Sequence, residues 1–427
     1  MLVSELKKSI LNGEFDKSLS VIYSDVSASR ERYAKSCDEF IALYGDSEGA
    51  RLFSAPGRTE VGGNHTDHQH GRVLAGSVDL DVIAVVCPLE ESIVRIKSEG
   101  YEMDTVDLSE LSINPNEKGR AISLIRGTCA AFSEAGYNIG GFNAYTTSNV
   151  LKGSGLSSSA AFEVLIGNIL SGVYNGGQVD AIEIAKIGQK AESVYFGKPC
   201  GLLDQSASSL GGFTAIDFFD PKNPKVEKVD FDLAAEGYTL CVVNTGGNHA
   251  NLTGDYADIT IECKSISNHF GKDFLREVDP TDFFENISLL RCKYGDRAVL
   301  RALHFFNEDD RAEKEKQALK KGDFNEFLRL VNESGNSSFK YLQNVYSMSD
   351  VHEQGISLAL ALTEQYLKGT NSGAYRVHGG GFAGTIQVFI PTKLLAGYKI
   401  CIEKAFGKGS CYVLGIRPIG GCEIKKQ

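Results

Sequence analysis

The chain has 427 residues, enough for two or three domains with ample core, and an ordinary globular composition. Its 44 basic and 55 acidic side chains leave a net charge of −11, which argues against a general nucleic-acid binder. No run of about 18 apolar residues offers a membrane span, the first residues are mixed and charged rather than signal-like, and the ten cysteines lack C-x-x-C or zinc-like spacing, so a soluble, cytoplasmic protein is expected.

Residues 1–48 are charge-rich and predict one or two surface helices. Ser54-Ala-Pro-Gly57 breaks that pattern, and residues 77–89 predict a strand with Val82–Val86 as its buried centre. Between them, Gly57–His70 gathers polar side chains into a glycine-punctuated turn. Asp67 there can accept two sugar O–H bonds, and Asn64 and His65 can donate or accept. A zinc site of His65, His68, His70 and Asp67 is the rival, although H-x-x-H-x-H matches no zinc-hydrolase spacing. A plain polar turn is the third reading.

Residues 142–150 predict a second strand feeding Gly153-Ser-Gly-Leu-Ser-Ser-Ser-Ala-Ala161. Phe162, Leu165, Ile166, Ile169, Leu170 and Val173 follow at helical spacing. Such a loop leaves backbone N–H groups at the positive end of a helix, where an anion binds, and its serines add donors and an oxygen ligand for Mg²⁺. A serine-capped helix start is the plainer alternative. A helix over 180–196 follows, with Asp180 and Glu183 as a capping box and Gly197 and Pro199 at its end. In Cys200-Gly-Leu-Leu-Asp-Gln205 an acid lies between apolar neighbours, either as a base or hydroxyl-orienting group or as a helix cap.

Strands are expected at 214–218 and 238–243, and helices over most of 255–368. His378-Gly-Gly-Gly-Phe-Ala-Gly384 leads into an alternating strand at 385–390; its glycines permit close approach to a ligand or another loop. No repeat or long linker is present, and the irregular alternation of elements predicts α+β layers. There is no G-x-x-x-x-G-K-[ST], no protein-kinase motif, no complete dinucleotide fingerprint and no G-x-S-x-G.

Taken in order, Ala55–Asp67, Gly153–Ala161, Cys200–Gln205 and Gly379–Gly384 resemble the motifs of the GHMP small-molecule kinases, the galactokinases most closely. The similarity reaches nearly everything beyond the first forty or so residues. It implies a two-domain GHMP kinase fold: an N-terminal lobe like ribosomal protein S5 domain 2, a ferredoxin-like C-terminal lobe, and the active site between them. The corresponding boundaries are a helical extension over 1–48, a sugar- and ATP-binding lobe over 49–220 and a C-terminal lobe over 221–427.

The resemblance also implies transfer of the ATP γ-phosphoryl group to the anomeric hydroxyl of galactose. Asp204 matches the catalytic acid, as base or orienter, and Arg58 the arginine that pairs with it. Asn64, His65, Thr66, Asp67 and Tyr256 match sugar-binding positions. Gly153, Ser154, Gly155, Leu156, Ser157, Ser158 and Ser159 match the ATP loop, and Ser159 and Glu192 the Mg²⁺ contacts. The partner implied is a small sugar, without nucleic acid or membrane; nothing shows the oligomeric state, and a monomer is consistent.

The chain departs from the family where its Glu is Asn64, its Tyr is His68 and its Asn is Glu60. Asp258-Ile259 replaces paired arginines, and Ser334-Gly335 an S-H. These changes bear on sugar identity, leaving a kinase of N-acetylgalactosamine or an arabinose-like sugar as the alternative. A non-catalytic galactose sensor and a histidine-ligated metal hydrolase are the more distant ones.

Overall fold

A computed structural model describes residues 1–150, 155–198, 200–247 and 252–426. Among the described residues, twelve strands form two sheets. The first sheet takes β1 (Arg51–Gly62), β2 (Arg72–Pro88), β3 (Ile93–Ser98), β4 (Met103–Asp107), β5 (Phe142–Ser148), β6 (Phe213–Asp217) and β7 (Lys225–Val229). The second takes β8 (Tyr238–Asn244), β9 (Ala374–His378), β10 (Thr385–Pro391) and β11 (Cys411–Leu414). The chain then returns to the first sheet, where β12 (Cys422–Ile424) pairs antiparallel with β1. The orders are β12-β1-β2-β5-β3-β4, with β6 and β7 added beside β2, and β11-β8-β10-β9. Both β7 and β12 thus lie beyond residue 220 yet belong to the first sheet.

The long β2 alternates, so Val82, Ala84 and Val86 face one way and Ile83, Val85 and Cys87 the other, and both faces are buried. On the second face sit α1 (Val3–Leu11), α2 (Asp16–Ile22) and α3 (Val26–Tyr44). Residues 1–48 therefore form three helices with their own apolar layer, including Leu6, Leu19, Tyr33 and Phe40, and not only surface helices. On the first face sit α4 (Ala121–Glu134), α5 (Ser158–Tyr174) and α6 (Ala181–Lys190), while α7 (Leu203–Leu210) packs through Leu203 and Ala207 on Val73 and Ala75 near the start of β2. The expected apolar run forms α5, where Val164, Leu165, Ile166, Ile169 and Leu170 have no exposed surface. Each such side chain stabilises the fold by roughly 1.5–3 kcal/mol.

The helical stretch after β8 comprises α8 (Thr253–His269), α9 (Pro280–Glu285), α10 (Ile287–Tyr294), α11 (Asp296–Lys321), α12 (Phe324–Ser337) and α13 (Gly355–Leu367). With α14 (Leu395–Phe406), α13 covers one face of the second sheet through Ile356, Ala359, Tyr398 and Ile402. Its other face, through Leu240, Val242 and Phe389, joins Phe327 of α12 and the first sheet in one continuous core. The site lies where these two sheets meet. No described helix is long and apolar enough to cross a membrane.

β1 departs from expectation. Ser54-Ala-Pro-Gly57 reads as a breaker, yet the strand runs through it. Its pairing with β2 shifts register between Pro56 and Arg58, a bulge that accommodates the missing proline N–H.

Candidate active site

That bulge aims Arg58. A Cβ on Gly57 would lie 2.8 Å from the Leu156 carbonyl oxygen, so a glycine lets the serine loop run against the strand. The Arg58 backbone N–H donates to that carbonyl at 3.0 Å. The Arg58 Nε donates to Asp204 Oδ1 at 2.6 Å, and Nη1 donates to the Gly155 carbonyl. The other Asp204 oxygen accepts from Ser157 Oγ at 2.5 Å. Asp204 lies in the first turn of α7, not at its cap: Leu202 is the cap and makes no side-chain capping bond. Burial alone would raise the Asp204 pKa; the Arg58 charge and the Ser157 hydroxyl outweigh it and hold the carboxyl below the usual aspartate range. Its side chain stays 25% exposed, within reach of a substrate.

Ser157 enters α5 with φ +55°, a left-handed conformation costing roughly 1–3 kcal/mol. Two residues further, Ser159 Oγ donates to Glu192 Oε1 at 2.9 Å. Glu192 is almost fully buried in a π-helical turn, Ala191–Phe196, that extends α6. The Gln205 amide donates to Glu192 Oε2 at 2.8 Å and to Glu163 Oε2 at 3.0 Å. Burial and repulsion from Glu192 push the Glu163 carboxyl well above the usual glutamate range. Lys198 reaches Glu192 Oε1 at 3.1 Å from the loop after that turn. Ser159 and Glu192 thus present neighbouring oxygens. No described group of three His, Cys, Asp or Glu side chains could cage a metal, but Mg²⁺ takes one or two protein oxygens and completes its shell with phosphate and water, so the pair fits it.

Ser158 and Ser159 line a cavity of about 630 Å³ that extends to Glu99, Asp104, Asn149 and Phe196. Apolar Leu124, Phe162 and Phe196 together with hydroxyl, amide and carboxylate side chains line it, a mixture that suits a nucleoside. A larger cavity of about 900 Å³ lies between α12 and α13 and contains none of these residues. Gly153 and Ser154 lie outside the described residues, as does the helix-ending Pro199.

The polar turn divides in two. Asn64 and Thr66 are fully buried and hold the turn itself. The Asn64 amide donates to Glu60 and to the Gly379 carbonyl at 2.8 Å each, and its oxygen accepts from Asn344 at 2.9 Å. Thr66 Oγ1 donates to the Gly63 and Arg72 carbonyls. Both are expected at sugar-binding positions; here each turns its polar atoms into the protein. His65 and Asp67 remain partly exposed. His65 Nε2 donates to the Gly380 carbonyl at 2.9 Å. Asp67 stands beside the α7 entry, where a Cβ on Gly201 would lie 3.4 Å from its Oδ2. Tyr256 donates its hydroxyl to the Gly381 carbonyl at 2.9 Å and packs edge-on against Phe382. The glycine cluster therefore approaches another loop and clamps the polar turn. His70 instead stacks on Phe274 with ring centroids 3.5 Å apart, which separates it from any shared ligand set with His65 and His68.

The sequence alone does not point to Lys198, Gln205 or Glu163 as site residues. Gln205 carries a signal, being adjacent to Asp204 in the C-G-x-x-D-Q match. Lys198 and Glu163 carry none, because only folding brings them to Glu192.

The profile described as "GHMP kinases N terminal domain" matches residues 123–212, and that described as "Galactokinase galactose-binding signature" matches residues 38–88. A galactokinase of Streptomyces coelicolor is 31% identical over 371 residues, 86% of this chain and 92% of its own length. One from Actinobacillus pleuropneumoniae is 31% identical over 362 residues, 83% of this chain and 88% of its own. Among solved structures, Lactococcus lactis galactokinase complexed with galactose superposes with a TM-score of 0.75 at 23% identity, covering 91% of this chain and 98% of that one. Methanococcus jannaschii mevalonate kinase does so at 0.61 and 15%, covering 87% and 99%.

Proposed function

The chain belongs to the galactokinase family of the GHMP kinases, and from that premise we propose that the cleft around Arg58 and Asp204 phosphorylates galactose at its anomeric hydroxyl. The products are galactose 1-phosphate and ADP. The observation that carries the reading is the bonded set Arg58–Asp204–Ser157, placed between the nucleoside-sized cavity and the His65–Asp67 turn.

Asp204, kept ionised by Arg58, accepts the hydrogen bond of the anomeric hydroxyl and orients it for attack; as a base it takes that proton as the new O–P bond forms. The bond between the γ-phosphorus and the bridging oxygen breaks, and ADP leaves. Arg58 offsets charge on the equatorial oxygens with a planar fork that a lysine lacks. Catalysis then rests on positioning and charge stabilisation. Ser159 and Glu192 would hold Mg²⁺, which neutralises phosphate charge. His65, Asp67 and Tyr256 would meet the sugar, with Asn64 and Thr66 supporting the turn behind them.

A screen for ADP release over galactose, N-acetylgalactosamine, glucose, arabinose and mannose tests this. Selective turnover of galactose is expected. Activity on another monosaccharide alone would keep the mechanism and reassign the sugar, and ATP consumption with none of them would remove the kinase reading.

A further inference from the structure

Resting on the assignment of the 630 Å³ cavity to the nucleotide, we propose that Arg32, on the N-terminal helix α3, is a positioning residue for ATP. It acts by holding, through Asp81, the strand end that forms the cavity wall. Its hydrogen bonds go to Asp81 and the Thr147 carbonyl, not to the cavity-lining side chains or to the Arg58–Asp204 pair, although its charge also acts on the wall residue Glu99.

The connection is short and entirely hydrogen-bonded. The Arg32 guanidinium donates from Nη1 to Asp81 Oδ1, and from Nη2 to the carbonyls of Asp81 and Thr147 at 3.1 Å each. It therefore bridges β2 and the last residues of β5. Asp81 in turn receives Asn149: the Asp81 N–H donates to Asn149 Oδ1 at 2.6 Å, and the Asn149 N–H donates to the Asp81 carbonyl at 3.1 Å. This extends the β2–β5 ladder beyond its last regular pair, Val82 with Ser148. Thr146, Ser148, Asn149 and Val150 all line the cavity.

A second strut runs beside the first. Lys35, one turn along α3, reaches Glu99 Oε1 at 3.3 Å, and Thr147 Oγ1 donates to the other Glu99 oxygen. Glu99 is itself a wall residue. Asp81 is fully buried and also accepts from Ser54, Tyr23 and Arg417, so its carboxylate is clamped from the helical layer, from β1 and from the C-terminal segment. A buried residue with this many donors on its carboxylate is fixed in place, and its backbone N–H and carbonyl in turn hold Asn149. The sugar turn shares none of these bonds; its partners are Glu60, Glu308, His304 and the glycine cluster. The N-terminal layer is thereby coupled to one substrate and not the other.

The test compares Arg32→Ala and Arg32→Lys with the wild-type chain and with Lys7→Ala. Lys7 pairs with Asp38 on the exposed side of the same layer and reaches nothing in the relay. The KM for ATP, the KM for galactose and the Kd of ADP by direct titration are measured. Arg32→Ala should raise the ATP KM and the ADP Kd about fivefold while the galactose KM stays within about twofold. Arg32→Lys, which keeps charge without the fork, should recover part of the loss and remains testable if the alanine variant does not fold. Lys7→Ala should leave all three values unchanged. Equal shifts in both KM values, or unchanged ADP affinity in both Arg32 variants, would overturn the proposal. A wild-type chain that fails to bind ADP would overturn the cavity assignment and the inference with it, and is seen before any variant is compared.

Discussion

Asp204 sits between two opposing influences, burial that favours its neutral form and the Arg58 and Ser157 bonds that favour the carboxylate, and the second prevails. Its bonds to Arg58 and Ser157 concern charge and orientation more than sugar contact. Asp204→Asn should therefore cut kcat at least about a hundredfold while the galactose KM changes little, read from steady-state rates with a melting curve as folding control. Equal loss in kcat and sugar affinity would instead make Asp204 a binding group. The sign of its pH dependence follows from its depressed pKa: the stabilising Arg58 pairing is complete above the ordinary aspartate value and is lost only as pH falls through the lower, folded value. The reaction's acid limb, where set by Asp204, should accordingly lie below the usual aspartate range.

Helix α11 carries dense mixed charge around Asp309–Lys321, a pattern that suggests a solvated face. One row of it is instead buried. Glu308 accepts from the Gly63 and Asn64 backbone N–H groups at 3.3 and 3.4 Å and pairs with Arg311. Burial works against ionisation of Glu308, yet Arg311, His304 and Arg376 bring its pKa down to about 2. Two turns along the same face, Glu315 is fully buried with neither oxygen hydrogen-bonded, and a Cβ on Gly62 would lie 1.7 Å from its Oε2. Burial and the nearby Glu308 push its carboxyl well up. The folded chain keeps a proton on Glu315 that the unfolded chain releases above 4.5, so stability is lost as pH rises beyond that value. Glu315→Gln removes this titration, and its gain in Tm over the wild type should be larger at about pH 8 than at about pH 5. A pH-independent difference would mean that Glu315 is ionised in the fold.

At the scale of the whole molecule, the two sheets share one core and are joined by buried polar bonds around the site. His304 of α11 bonds the Asn64 carbonyl through Nε2 and Ser337 of α12 through Nδ1, both at 2.9 Å. His378 at the end of β9 joins Thr59 of β1 to Thr385 of β10. Burial lowers these rings from 6.5 to about 4 and about 3. The unfolded chain takes up protons on both below 6.5 while the folded chain does not, so their stabilisation is complete above that value and declines as pH falls toward 4. His304→Gln should flatten the fall in Tm between about pH 7 and pH 5, measured against the wild type in the same buffers. An unaltered slope would place the acid sensitivity elsewhere.

Local order in the chain determined the apolar face of α5 and the strand at the centre of β2, whereas the pairing of Asp204 with Arg58, which joins two distant segments, is implied only by the family resemblance. The first two depend on periodicity and on residue type at fixed spacing, which one segment carries alone. At Pro56–Gly57 the sequence reads as a breaker, because a bulge in a paired strand has the local chemistry of a turn. Tertiary structure alone decided that Asn64 and Thr66 face inward, that Lys198 meets Glu192, and that α3 braces the nucleotide wall through Asp81. Each depends on which surfaces are apposed across distant segments, and in a buried, low-dielectric interior that apposition decides which polar groups bond each other and which remain for a substrate.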